Sequence, residues 1–96
     1  MSFHTAGHFL NDLIIRLAGE KFRDYSTILL GWKKIVGKTV ADKAKPVKFE
    51  HGVLKVAVNN NVWLQELILY KHKIRSRYRK KYNLEIKDII FFINSE

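Results

Sequence analysis

Pro46 is the only proline in the 96 residues, and the hydrophobic period changes across it. Before it, apolar residues recur about every 3.6 positions; after it, they alternate. Proline has no amide hydrogen and keeps its predecessor out of the helical region, so no helix continues past this point. Residues 8–18 place Phe9, Leu10, Leu13, Ile14 and Leu17 at i, i+3, i+4 spacing, which predicts an amphipathic helix ending near Gly19. Residues 24–36 predict a second one, with Tyr25, Ile28, Leu29, Trp32, Ile35 and Val36 in one stripe and Asp24 or Ser26 as N-cap. Gly37 interrupts it. Thr39 to Lys45 is expected to continue as a short helical piece with Val40 and Ala41 inward.

Beyond the proline, Val47–Glu50 and Val53–Val58 alternate around His51-Gly52, the pattern of a β-hairpin in which glycine supplies the positive φ of a tight turn. Asn59-Asn60-Asn61 ends the second strand and caps the longest helix, expected over 61–82 and stopped by Asn83. Ile86 to Ile93, β-branched and aromatic, reads as the last strand. The order is α-α-β-β-α-β, an α+β layer with helices on one face of a small three-stranded sheet. At 47% apolar and 12% aromatic residues the chain can build a core, which excludes intrinsic disorder. The length suits one domain, residues 1–96, with a folded part of about 8–93.

Most chemistry is excluded by what the sequence lacks. Without cysteine there is no disulfide, thiolate metal site or cysteine nucleophile, which fits a reducing compartment. Residues 1–8 have neither the basic start nor the apolar stretch of a signal peptide. Apolar runs such as Leu13 to Ile15 and Ile89 to Ile93 fall far short of the roughly 20 residues that cross a bilayer. A soluble, intracellular domain is expected. The stretch from Gly31 to Thr39 resembles a phosphate loop but separates its glycines by five residues, where that motif needs four. Trp32, Ile35 and Val36 also belong to the amphipathic stripe. His4 and His8 stand four apart without a third metal ligand, and His51 and His72 are isolated. Asp12, Asp24, Glu66 and Asp88 form no pair suited to acid–base work, and the five glycines make no dinucleotide fingerprint. No enzyme, metal, cofactor or small-molecule substrate is expected.

Charge is the positive signal. Lys plus Arg number 18 against 9 Asp plus Glu, a net charge of +9, and a pI near 9.9 points to a polyanionic partner. The charge concentrates in residues 71–81, KHKIRSRYRKK, where seven of eleven positions are basic and none acidic. On a helical wheel, Trp63, Leu67, Tyr70, Ile74 and Tyr78 form an apolar ridge. Lys71, Arg75 and Arg79 make a rail on one side; Lys73 and Arg77, with Lys80 and Lys81, line the other. Like charges at i, i+4 repel by a few tenths of a kcal/mol per pair, a cost that an arriving phosphate backbone would remove. Lys33, Lys34 and Lys38 are candidates to assist. Tyr70, Tyr78 and Tyr82 would stack on bases only if exposed. The alternative is a wet helical face whose Lys and Arg stems cover apolar surface, with the tyrosines in the core. Rich in Lys and Arg but poor in Asn and Gln, the helix suits recognition that is largely independent of base sequence. Its apolar ridge is needed by the core, which argues against a membrane-surface role.

Three blocks in order, Trp32-Lys33-Lys34-Ile35-Val36-Gly37, then Gly52-Val53-Leu54-Lys55-Val56-Ala57-Val58 after Pro46, then Trp63-Leu64-Gln65-Glu66-Leu67, resemble the DciA family of bacterial replicative-helicase loaders or recruiters. The likeness covers roughly residues 8–93. It implies a KH-like fold, affinity for DNA and contact with a DnaB-type hexameric helicase; the expected DNA is single-stranded or forked, and the expected place cytoplasmic, at the nucleoid. Longer relatives carry a flexible extension that contributes to helicase contact. This sequence shows essentially none, so contact is expected through the folded domain, another protein or a segment beyond these residues. The G-x-x-G loop with which RNA-binding KH domains clamp nucleic acid is absent as well. Trp32 is expected in the core, while Trp63 fits either the core or a half-exposed protein-binding anchor. Glu66, the sole acid of its helix, could pair with Tyr70 or a lysine; with Trp63 it is a candidate partner contact. The expectation is a non-enzymatic DNA-binding domain that recruits or helps load the helicase. Two rivals are a protein-interaction module, its basic helix on an acidic partner, and an RNA-binding module.

Overall fold

A computed structural model of the chain describes Gly19 and residues 22–94. The stripe of Ile28, Trp32 and Ile35 becomes the buried side of a helix over 22–36, here α1. That helix is already under way at Phe22, so neither Asp24 nor Ser26 caps it, and Leu29 of the expected stripe is exposed. The helix expected at 8–18 lies outside the described residues, and Gly19, its expected stop, is itself helical. Gly37, at φ 91, separates α1 from α2 (Lys38–Lys43). A positive φ of that size favours glycine, which has no Cβ to clash.

α2 ends two residues sooner than expected. Ala44 and Lys45 already belong to β1 (Ala44–Glu50), so Pro46 sits inside the strand instead of ahead of it. Its missing N–H is tolerated because β1 lies at the sheet edge, and the register shift between Pro46 and Lys48 makes Val47 the extra residue of a bulge. β2 (Val53–Val58) pairs antiparallel with β1 through a two-residue turn in which His51 and Gly52 both have positive φ. This is the twist-compatible hairpin turn expected there. The chain then crosses over through α3 (Asn61–Tyr82) and returns as β3 (Asp88–Ile93), parallel to β2. The sheet order is β1-β2-β3. A helix is the usual way to join parallel neighbours. Ile86, expected to open the last strand, is buried in the loop before it.

The architecture is α+β in the order α-α-β-β-α-β. Ala44, Leu54, Val56, Val58 and Ile89 point from the sheet into one core, where they meet Ile28, Trp32, Ile35, Leu67, Ile74 and Tyr78 of the helices. Two polar tips are satisfied inside it: Trp32 Nε1 donates to the Ala44 carbonyl at 2.8 Å, and the Tyr78 hydroxyl donates to the Ile28 carbonyl at 2.7 Å. At Gly31 the first helix passes so close to Tyr82 that a Cβ would come within 2.7 Å of the ring, which accounts for that glycine better than any phosphate loop. No helix among the described residues is long and apolar enough to cross a membrane.

Candidate nucleic-acid and partner surface

Helix α3 begins where the asparagine run predicts. Asn60 has extended backbone, and its side-chain oxygen accepts from the Trp63 amide at 3.0 Å. It ends at Asn83, whose left-handed conformation lets its N–H bond back to the Arg79 carbonyl at 3.0 Å. Between these caps Leu67, Ile74 and Tyr78 are buried, and the basic side chains leave on either flank. Tyr78 is fully buried, and that burial, with Tyr82 beside it, pushes its phenol pKa upward; it is not available to a base. Tyr82 is half-buried 5.8 Å from the Tyr78 ring, while Tyr70 is 47% exposed.

The seven cations of 71–81 are not equivalent. On the flank toward β3, Lys71 pairs with Asp88 at 3.1 Å and Arg75 Nε donates to the Ile86 carbonyl at 2.6 Å. Both therefore hold the 83–88 segment against the helix. The Lys71 hydrogen bond, joined by the Ile89 amide, keeps the Asp88 carboxyl below the usual carboxylate range. On the opposite flank, Arg77 Nη1 donates to the Ile35 carbonyl at 2.8 Å. That carbonyl is in the last turn of α1, where a cation also complements the helix dipole. Lys73 lies 5.6 Å from the Tyr70 ring centroid, within cation–π range. Arg79, Lys80 and Lys81 fill the last turn of α3, exposed and without a carboxylate partner among the described residues. Lys33, Lys34 and Lys38 are exposed at the junction of α1 and α2, which the Arg77 bond draws alongside this flank.

The same flank opens into a groove of about 480 Å³ between α3 and the α1–α2 junction. Val36, Val40, Trp63 and Leu67 give it an apolar floor; Glu66, Lys73 and Arg77 stand at its rim. The two candidate groups, Trp63 with Glu66 and the basic rail, thus meet in one place. Trp63 is half-buried there. Glu66 is exposed, and among the described residues neither Tyr70 nor a lysine pairs with it.

A family model described as "Dna[CI] antecedent, DciA" matches residues 5–91, nearly the whole chain. The chain belongs to the DciA family. Membership implies a part in loading the DnaB helicase in bacteria. No curated protein matches the chain. In this DciA-family member the first signature block forms the end of α1, with Trp32 and Ile35 in the core, and the third opens α3, with Leu67 in the core and Trp63 on the groove.

One surface escaped the sequence reading. The sheet face away from the helices carries Lys45, Lys48, Lys55, Ile90 and Phe92, all exposed. Strand alternation contains the signal, but the bulge at Val47 shifts β1 by one position, so Lys45 and Lys48, three apart, share a face.

Proposed function

We propose that this domain binds DNA without catalysing a reaction and thereby helps recruit or load the DnaB-type helicase at the nucleoid. The observation that carries it is the cluster Arg79, Lys80 and Lys81: three exposed cations, unpaired among the described residues, ending a helix with a single acid. Lys73, Lys33, Lys34 and Lys38 extend the positive surface along the groove side. Lys71, Arg75 and Arg77 keep their charge for phosphate contact, but each also holds a piece of the fold. Binding is governed by charge and is largely independent of base sequence.

The test follows from this division. Reversing Arg79, Lys80 and Lys81 to glutamate should flatten the dependence of log affinity on log salt for a single-stranded oligonucleotide, with circular dichroism unchanged. Unchanged affinity and slope would remove the helix as the DNA surface. Reversal at Arg75 is the poorer test, because its bond to Ile86 would be lost as well.

The groove supports a second role, contact with protein. Trp63 presents a large apolar face beside Lys73 and Arg77, a setting in which tryptophan often anchors a partner. Capture of the helicase that survives nuclease treatment and fails with Trp63→Ala would assign recruitment to the groove. A preference for ribose-containing strands at matched salt would instead favour RNA as the ligand.

A further inference from the structure

We infer that the open face of the sheet is a second nucleic-acid surface, a stacking platform for single strands separate from helix α3. The register sets out its rows. Lys45, Ala57 and Phe92 lie side by side across β1, β2 and β3, and Lys48, Lys55 and Ile90 form the neighbouring row. Successive rows on one face are about 6.6 Å apart along the strands, and adjacent strands about 4.8 Å apart. The lysines therefore occupy the β1–β2 side and the exposed apolar residues β3, with the two acids of the face, Glu50 and Asp88, in a third row at the hairpin end. A strand laid along β1 and β2 would place its phosphates over Lys45 and Lys55 and direct its bases toward Phe92.

Three features set this face apart from an ordinary solvated one. First, Phe92 is 38% exposed and Ile90 45% exposed on the side of the sheet away from the core. Second, Ala57 stands between Lys45 and Phe92, a side chain too short to cover the ring. Third, Lys48 and Lys55 are direct cross-strand partners, and like charges in that position destabilise a sheet. Glu50 takes up Lys48 at 2.9 Å, but no carboxylate among the described residues pairs with Lys45 or Lys55. Shallow hollows of about 320 Å³ beside Lys45 and Ala57, and about 270 Å³ beside Lys55 and Ile90, leave the rows accessible. An aromatic ring beside unpaired cations is the arrangement by which single strands are held without sequence readout. A duplex keeps its base faces stacked inside and cannot use the ring.

Fluorescence anisotropy with a labelled oligothymidine and with a duplex of equal length tests the inference on the full chain. Phe92→Ala should weaken single-strand binding by at least about fivefold and leave duplex binding unchanged, and Phe92→Trp should restore it. Lys45→Gln with Lys55→Gln should lower the salt slope for the single strand by about 1.4, two contacts at roughly 0.7 each. If Phe92→Ala proves unstable, Phe92→Leu keeps the apolar volume and tests the ring alone. Single-strand affinity unaltered in the leucine and lysine variants, or equal losses for single strand and duplex, would overturn the inference. The α3 triple reversal is measured in parallel. Its failure to act would count against the helix and not against the sheet, whereas silent sheet variants beside an active triple reversal would reject the sheet alone.

Discussion

Helix α3 carries seven lysines and arginines against one acid, and the open sheet face three lysines against Glu50 and Asp88, but the two regions differ in what the charge already does. On the helix, Arg75 and Arg77 donate to backbone carbonyls of other segments, and Lys71 grips the start of β3. On the sheet, Lys48 has a surface carboxylate partner, and Lys45 and Lys55 have none among the described residues. Lys71, Arg75 and Arg77 thus serve the fold as well as any ligand, while Lys45 and Lys55, like Arg79, Lys80 and Lys81, can be changed at little structural cost. A count of basic residues measures charge, not charge that is free.

The sharpest way to break the comparison is to remove the helical guanidinium groups one at a time. Arg75→Ala should lose a hydrogen bond from a charged donor and leave the Ile86 carbonyl to water, a destabilisation of about 1.5–3 kcal/mol in urea unfolding. Arg77→Ala, which uncaps α1, should fall in the same range, whereas Arg79→Ala should stay within about 0.5 kcal/mol. Equal effects at all three positions would erase the distinction between structural and free cations on this helix.

Asp88 offers a milder contrast because its partner is on α3 but its own strand borders the sheet. Its carboxyl pKa is lowered in the fold, so the stabilisation is fully present above the unfolded value near 3.9 and is lost as pH falls through the lowered folded value. The side chain is 52% exposed, so solvent screening holds the effect under about 1 kcal/mol. Asp88→Asn should remove that part of the acid dependence in pH-resolved unfolding, and added salt should shrink the difference between the two proteins. The Asp88 side chain also accepts from the Ile89 amide at 2.8 Å, a bond that asparagine can keep, so the substitution isolates the charge.

How much of this was legible without coordinates follows from the range of the interactions. Helix α3 was readable to its end residues because caps are local: Asn60 reaches three residues ahead, and Asn83 bonds back within one turn. The hairpin was readable for the same reason, since Gly52 and its neighbour carry the turn themselves. Pro46 was misplaced relative to its strand because edge position and bulge are properties of the sheet, not of the four residues around it. The fates of Arg75 and Arg77 were illegible: their acceptors lie 11 and 42 residues away and are brought near only by the packed fold. Tyr78 could be put on the apolar ridge, yet its separation from Tyr70 as a core residue needed the crossing of α1 over α3.

The smallest expected effect has the opposite sign. Lys55 faces Lys48 directly across the antiparallel pair, both exposed, so each raises the free energy of holding the other in place. Replacing Lys55 with threonine removes that repulsion and adds a β-branched residue suited to a strand. Glu50 remains to pair with Lys48. Lys55→Thr should therefore stabilise the domain by a few tenths of a kcal/mol, up to about 1, in urea unfolding at low salt, and the gain should fade as salt screens the lysine pair. The substitution should at the same time weaken single-strand binding. A chain that becomes more stable and binds less well is the expected signature of a charge kept for a ligand. Lower stability in the variant would mean that Lys55, like Arg75 on the helix, is part of what holds the molecule together.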